Sequence, residues 1–353
     1  MVRSARFFMV LTAFTGFLVA SVPAYADIKA VASIKPVHSL VSMVLGAKGR
    51  VSVLLDGAAS PHTYALTPRQ ASDIQSADVI FWVGEPLEAF LAKPLQTIGA
   101  NVRQIDLLST PGVQTLALRE GGAFEAHAHD DHEGHDDHNH KDHDNHGHKG
   151  HDDHHDHAKH DDHDDHAKHD DHENHDGHAP SADEFDPHIW LDPHNAKAML
   201  YHIAHVLGDL DPAHRAAFEQ NAEQAAARID QMMASIKADI DPVKEGEFIV
   251  FHDAYHYFED AFGLQAAGAI SINPERLPGA QRVGEIRTLI QDEHIRCVFT
   301  EPQFEPKIIR VILEGTGKKS VQIDPLGATL TAGSEMYFTL LEDMRGAFLT
   351  CLG

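Results

Sequence analysis

Ala30-Val31-Ala32-Ser33-Ile34, followed at once by a proline-led segment over 36–45 and then by Val51-Ser52-Val53-Leu54-Leu55, reads as strand, helix and strand. Pro36 supplies a φ already suited to a first helical turn and lacks an N–H that such a turn could not pair. Outward from this unit the alternation continues with a helix over 68–76 and a strand over 79–83. Short apolar runs separated by helical segments predict a parallel sheet covered on both faces. The same pattern returns later, with strands over 248–251, 297–300 and 320–323 and helices at about 254–262, 279–292 and 306–313. The fold expected is therefore α/β, with two lobes, each a parallel sheet covered by helices.

Between the two units, Asp211-Pro212 opens a helical stretch in which Phe218, Ala222, Ala225, Ile229, Met232 and Ile236 form one apolar stripe. It reads either as one long helix joining the lobes or as an ordinary packing helix within one of them. The expected organisation is a leader over 1–26, a first lobe over 27–210, a linking helix over 211–239 and a second lobe over 240–353. Arg3 and Arg6 ahead of an apolar run, then Ala24-Tyr25-Ala26, form an export signal cleaved after Ala26. An uncleaved membrane anchor is the weaker reading, because the run is short and is broken by Thr12, Thr15, Gly16 and Pro23. In an oxidising compartment the two cysteines, Cys297 and Cys351, are expected to form one disulfide worth roughly 4 kcal/mol by chain entropy, with unlinked thiols the alternative.

The 353 residues carry 28 basic and 54 acidic side chains, a net charge of -26 that disfavours nucleic acid and anionic lipid and favours cations. Twenty of the 30 histidines fall within 127–178, interleaved with aspartate, and from His151 to His178 one recurs every third residue. Such a segment has too little apolar surface to offset the entropy of ordering, so a disordered insert in the first lobe is expected. Its imidazoles are candidates for weak metal sites, and an acidic spacer that binds metal only incidentally is the alternative.

Outside the insert, His62, His188, His252 and His256 stand where an open α/β sheet presents ligand-binding loops, and Asp324 ends a strand in the second lobe. Three imidazoles and a carboxylate would suit tetrahedral zinc. His252 and His256 have the spacing of a zinc protease, but the glutamate that should follow the first histidine is missing. His194, His202 and His205 read more simply as local structural or solvated residues.

Taken together, Ser60-Pro61-His62, the histidine-rich insert, His188-Ile189-Trp190-Leu191-Asp192-Pro193-His194, Phe251-His252-Asp253-Ala254-Tyr255, Thr300-Glu301-Pro302-Gln303-Phe304 and Asp324-Pro325-Leu326-Gly327 resemble the cluster A-I solute-binding family. Within it, they are similar to the zinc-binding proteins of bacterial high-affinity zinc ABC importers. The resemblance implies two α/β lobes joined by a long helix and a Zn2+ site in the cleft at His62, His188 and His252, with an acidic residue or water fourth. It also implies a periplasmic monomer that delivers zinc to an inner-membrane ABC permease and catalyses nothing.

Some relatives carry glutamate directly before the first ligand histidine, where this chain has Pro61. Asp324 therefore becomes the candidate fourth ligand, with water the alternative and Glu301 in reserve; Glu301 could instead be a structural carboxylate bonding backbone amides. The manganese-carrying branch of the family has a carboxylate at the position of His252, and three neutral imidazoles favour zinc instead. Two competing functions are a zinc buffer acting through the insert and a zinc hydrolase with Glu301 as base. No Walker A pattern is present, so transport energy must come from a partner.

Overall fold

The computed structural model describes residues 27–119, 123–124, 185–271, 278–292, 294–304 and 306–353. The expected leader over 1–26 and the histidine-rich stretch over 127–178 lie outside the described residues. The first sheet contains β1 (Ile28–Ala32), β2 (Gly49–Val53), β3 (Val79–Trp82) and β4 (Arg103–Asp106), in the order β2-β1-β3-β4. Every pairing in it is parallel, Ala30 lying opposite Val51 on one side and Val79 on the other. The second sheet contains β5 (Glu247–His252), β6 (Ala266–Ser271), β7 (Ile295–Thr300) and β8 (Lys319–Gln322), in the order β6-β5-β7-β8, again parallel throughout. Each sheet reverses its strand order beside its first strand, and the carboxyl ends of strands at such a reversal open a crevice for ligands.

Helices α1 (Lys35–Leu45), α2 (Pro68–Gln75) and α3 (Ala89–Thr97) follow the strands of the first sheet, with α1 beginning at the residue before the proline. Thr67 caps α2 by accepting from the Gln70 amide, while the Gln70 side chain accepts from the Thr67 amide, so two otherwise unpaired donors are satisfied reciprocally. Helix α4 (Pro193–Leu210) starts on Asp192, whose side chain accepts from the His194 amide at 2.7 Å. In the second lobe α6 (His256–Phe262), α7 (Ala280–Ile290) and α8 (Pro306–Leu313) alternate with strands, and α9 (Met336–Leu352) closes the chain.

Helix α5 (Arg215–Ile240) starts later than Asp211-Pro212 implied, because 212–214 form a separate 3-10 turn. The Asp211 carboxylate is taken by the His214 ring at 2.5 Å and caps no α-helical amide. Phe218, Ala222, Ala225, Ile229 and Ile236 on the stripe are buried, and Met232 packs at its edge. α5 packs against α1, α4 and α9. One continuous apolar core accordingly runs from β1 and α1 through α5 to Phe248, Phe299 and Phe348. Cys297 of β7 and Cys351 of α9 form a disulfide across 54 residues, fixing the last helix to the second sheet. No described helix is long and apolar enough to cross a membrane.

The segment leading toward the histidine-rich stretch crosses between the lobes. Ala117 pairs with Phe185, Arg119 forms ion pairs with Asp253 and Glu259, and the Ala123 carbonyl accepts from Ala269 N and Arg282. Gly268 is required in β6, since a Cβ there would stand 2.5 Å from the Cβ of Ala123.

Candidate metal centre

His62, His188 and His252 reach one cleft from three different backbone settings. His62 lies in the turn after β2, where its own amide donates to Ser60 Oγ at 3.3 Å. His188 follows Asp186-Pro187, and Asp186 Oδ1 accepts from both the His188 amide, at 2.9 Å, and its Nδ1, at 2.6 Å. His252 is the last residue of β5, and Glu301, just past the end of neighbouring β7, accepts from its Nδ1 at 2.7 Å. His252 and Glu301 thus straddle the point where the second sheet reverses its strand order.

The three imidazoles offer ligand atoms that all lie within 4.8 Å of one another. Their ring centroids are separated by 5.6 Å (His62 to His188), 6.1 Å (His62 to His252) and 5.3 Å (His188 to His252). Three nitrogens on a tetrahedral zinc with bonds of ~2.0–2.1 Å stand about 3.4 Å apart, so modest inward ring shifts complete the geometry. Carboxylates occupy Nδ1 of His188 and His252, which leaves Nε2 as the free nitrogen of each. Nε2 of His62 is buried without a partner. An orphaned buried nitrogen aimed at two others is the arrangement a cation would satisfy.

Electrostatics favour neutral ligands at two of the three positions. Burial, followed by the charges of His188 and His252, holds His62 well below the usual imidazole range. Burial, and then His252, does the same to His188. Burial also pulls His252 down, but the charge and hydrogen bond of Glu301 outweigh it and its pKa is raised. Burial lifts Asp186 to about 6 against its hydrogen bond from His188.

Asp324, the expected fourth ligand, is not brought to the imidazoles. Its Oδ1 accepts from Leu326 N, Gly327 N and Gln303 Nε2, and its Oδ2 from Ala328 N at 2.6 Å, so the loop's own amides hold the carboxylate. The role of bonding backbone amides, considered for Glu301, falls to Asp324, while Glu301 backs His252. Its Oε2 is buried without a partner and it lines the cleft. His256 opens α6 and lies outside the cluster, as do His194, His202 and His205. His38 is buried between Val51 O and Ser42 Oγ. Sequence reasoning missed Asp186, although an acidic residue two positions before a candidate ligand is a readable signal for a carboxylate partner.

Residues 30–351 match the family model described as zinc-uptake complex component A periplasmic, ZnuA. The chain is 41% identical over 322 residues to the high-affinity zinc uptake system protein ZnuA of Brucella abortus (strain 2308), covering 91% of both chains. It is 33% identical over 327 residues to the protein of the same name from Yersinia pestis, covering 93% of this chain and 92% of that one. Among solved structures, a crystal structure of ZnuA superposes with a TM-score of 0.66 at 22% identity, covering 92% of this chain and all (100%) of that one. A mutant of the laminin-binding adhesin Lmb from Streptococcus agalactiae gives 0.67 at 20% identity over 92% of this chain and 100% of the other, a likeness of fold. Two parallel four-stranded sheets, a three-histidine cleft and a family match over residues 30–351 agree: the chain belongs to the ZnuA family of periplasmic zinc-uptake components.

Proposed function

We propose that the protein captures Zn2+ through Nε2 of His62, His188 and His252, with water in the fourth position, and passes the ion to an ABC permease. The observation that carries this reading is the convergence of three imidazole nitrogens within 4.8 Å, two of them on rings oriented by buried carboxylates. Outer carboxylates of this kind fix the tautomer and raise ligand basicity. The protein is a receptor and not an enzyme, and zinc is its cargo. Energy for import comes from its partner.

The leader is removed after Ala26, and the mature chain works in the periplasm as a monomer. The histidines of 127–178 add weaker sites that raise the local zinc concentration near the cleft. Such a stretch alone could serve as a buffer. The built three-histidine site favours a receptor with an auxiliary insert.

Zinc K-edge absorption of the mature chain lacking 127–178, loaded with one equivalent, tests the ligand set. Three imidazoles at ~2.0–2.1 Å and one oxygen are expected. One imidazole or none would overturn it.

A further inference from the structure

Lys35 opens α1 with its side chain only 5% exposed, yet its ammonium is surrounded by oxygen. Nζ donates to the carbonyls of Ala328 and Leu330 at 2.9 Å and of Gly327 at 3.4 Å, and stands 2.8 Å from Oδ1 of Asp56. These oxygens come from two places. Asp56 begins the loop that carries His62, and Gly327 to Leu330 belong to the loop after β8 in the second lobe. One buried cation therefore ties together the roots of two loops that face the cleft.

The other face of the second loop is occupied as well. Its amides at Leu326, Gly327 and Ala328 point at the Asp324 carboxylate, at 3.1, 3.0 and 2.6 Å, while Gln303 Nε2 donates to Oδ1 at 2.8 Å. Gly327 makes this turn possible, with φ of +63° and no room for a Cβ against Leu330 and Met336. Trp190 Nε1, two residues past His188, fixes the same loop through Pro325 O at 2.8 Å. Pro325 and Leu326 line the cleft, so Asp324 stands one residue behind its wall. The loop is held by its carbonyls from the first lobe and by its amides on its own aspartate.

Resting on the three-imidazole zinc site proposed above, we infer that Lys35 is a positioning residue that sets metal preference. By gripping the carbonyl face of the 324–330 loop it keeps the Asp324 carboxylate on that loop's amides and off the ion in the cleft. With the grip released, the loop relaxes and Asp324 becomes free to enter as an anionic oxygen ligand. Oxygen donors suit manganese better than imidazole does, so the preference for zinc narrows.

The test compares the mature chain with Lys35→Met and with Lys35→Met/Asp324→Asn, each titrated with zinc and with manganese and each examined at the zinc K-edge with one equivalent bound. Lys35→Met is expected to reduce the zinc-over-manganese affinity ratio by about tenfold or more and to add an oxygen neighbour to zinc. Adding Asp324→Asn is expected to restore the ratio and the coordination. Equal loss for both metals, or a shift that survives Asp324→Asn, would overturn the inference. If Lys35→Met does not fold, Asp324→Asn alone decides: zinc affinity within about twofold supports the inference. A loss of about tenfold or more would make Asp324 a ligand already and sink it. Failure of the unaltered chain to bind one zinc tightly would instead bring down the site, so the two failures are distinguishable.

Discussion

Nδ1 of His188 stands 2.6 Å from Oδ1 of Asp186, an oxygen that also accepts from the backbone amide of the same histidine. The two bonds fix both the ring plane and the protonated nitrogen, so the lone pair on Nε2 points into the cleft before any ion arrives. Asp186 is itself held by Tyr257, whose hydroxyl donates to its carbonyl at 2.7 Å. Asp186→Asn should therefore leave the fold intact and weaken zinc binding by roughly 10–100-fold. Competition against a chelator of known affinity checks this; unchanged affinity would mean that the carboxylate plays no part in orienting His188.

Zinc capture should release protons in a way set by His252. His62 and His188 are pushed down and are already neutral near pH 7, whereas His252 is raised by Glu301 and keeps a proton longer. Affinity should then fall as pH drops through the raised range of His252, with about one proton displaced per zinc there. Glu301→Gln removes the raising charge and should shift that fall to lower pH. Calorimetry in buffers of different ionisation enthalpy counts the protons, and none released at pH 6.5 would contradict the assignment.

Arg119 joins two buried carboxylates, Asp253 beside His252 and Glu259 on α6, whose side chains are 7% and 2% exposed. Removing the guanidinium leaves both uncompensated, so Arg119→Ala should cost about 3–5 kcal/mol in urea unfolding. The exposed pair of Lys237 and Asp241 provides the contrast, and Lys237→Ala should leave the urea midpoint essentially where it is.

Glu88, fully buried directly before α3, has its pKa raised to about 7 by burial, against hydrogen bonds that include the Val83 and Gly84 amides just past β3. The folded protein binds this proton more tightly than the unfolded chain, so stability falls as pH rises from about 4.5 to 7 and then levels off. Glu88→Gln, which retains an acceptor for the amides, should stabilise the protein at pH 8 by up to about 3 kcal/mol and bring no gain below about pH 4.5. Thermal melts at the two pH values decide it, and equal effects at both would exclude titration as the cause.

The β1-α1-β2 unit was legible because its apolar runs are short and Pro36 marks the helix start. Strand-end placement singled out His62, His188, His252 and His256 alike, and the family resemblance narrowed them to the three that converge. Edge strands β4 and β6 were not legible: three of the four residues in Arg-Gln-Ile-Asp are polar, and Ala-Ala-Gly-Ala-Ile-Ser has one β-branched apolar residue among small ones. The position of Asp324 was also hidden, since its carboxylate is claimed by amides of a turn whose carbonyls are held by Lys35, 292 to 295 residues away in sequence. Residue type and spacing identify a carboxylate near the cleft. Which way it faces depends on tertiary contacts that no local pattern carries.

The most direct test is isothermal titration of zinc into the mature protein lacking 127–178, beside the same protein carrying His62→Ala. One tight site is expected in the first and its loss, or weakening by about 100-fold or more, in the second. Absence of a tight site once the histidine-rich stretch is removed would contradict a cleft receptor and make the protein a zinc buffer on a two-lobed scaffold.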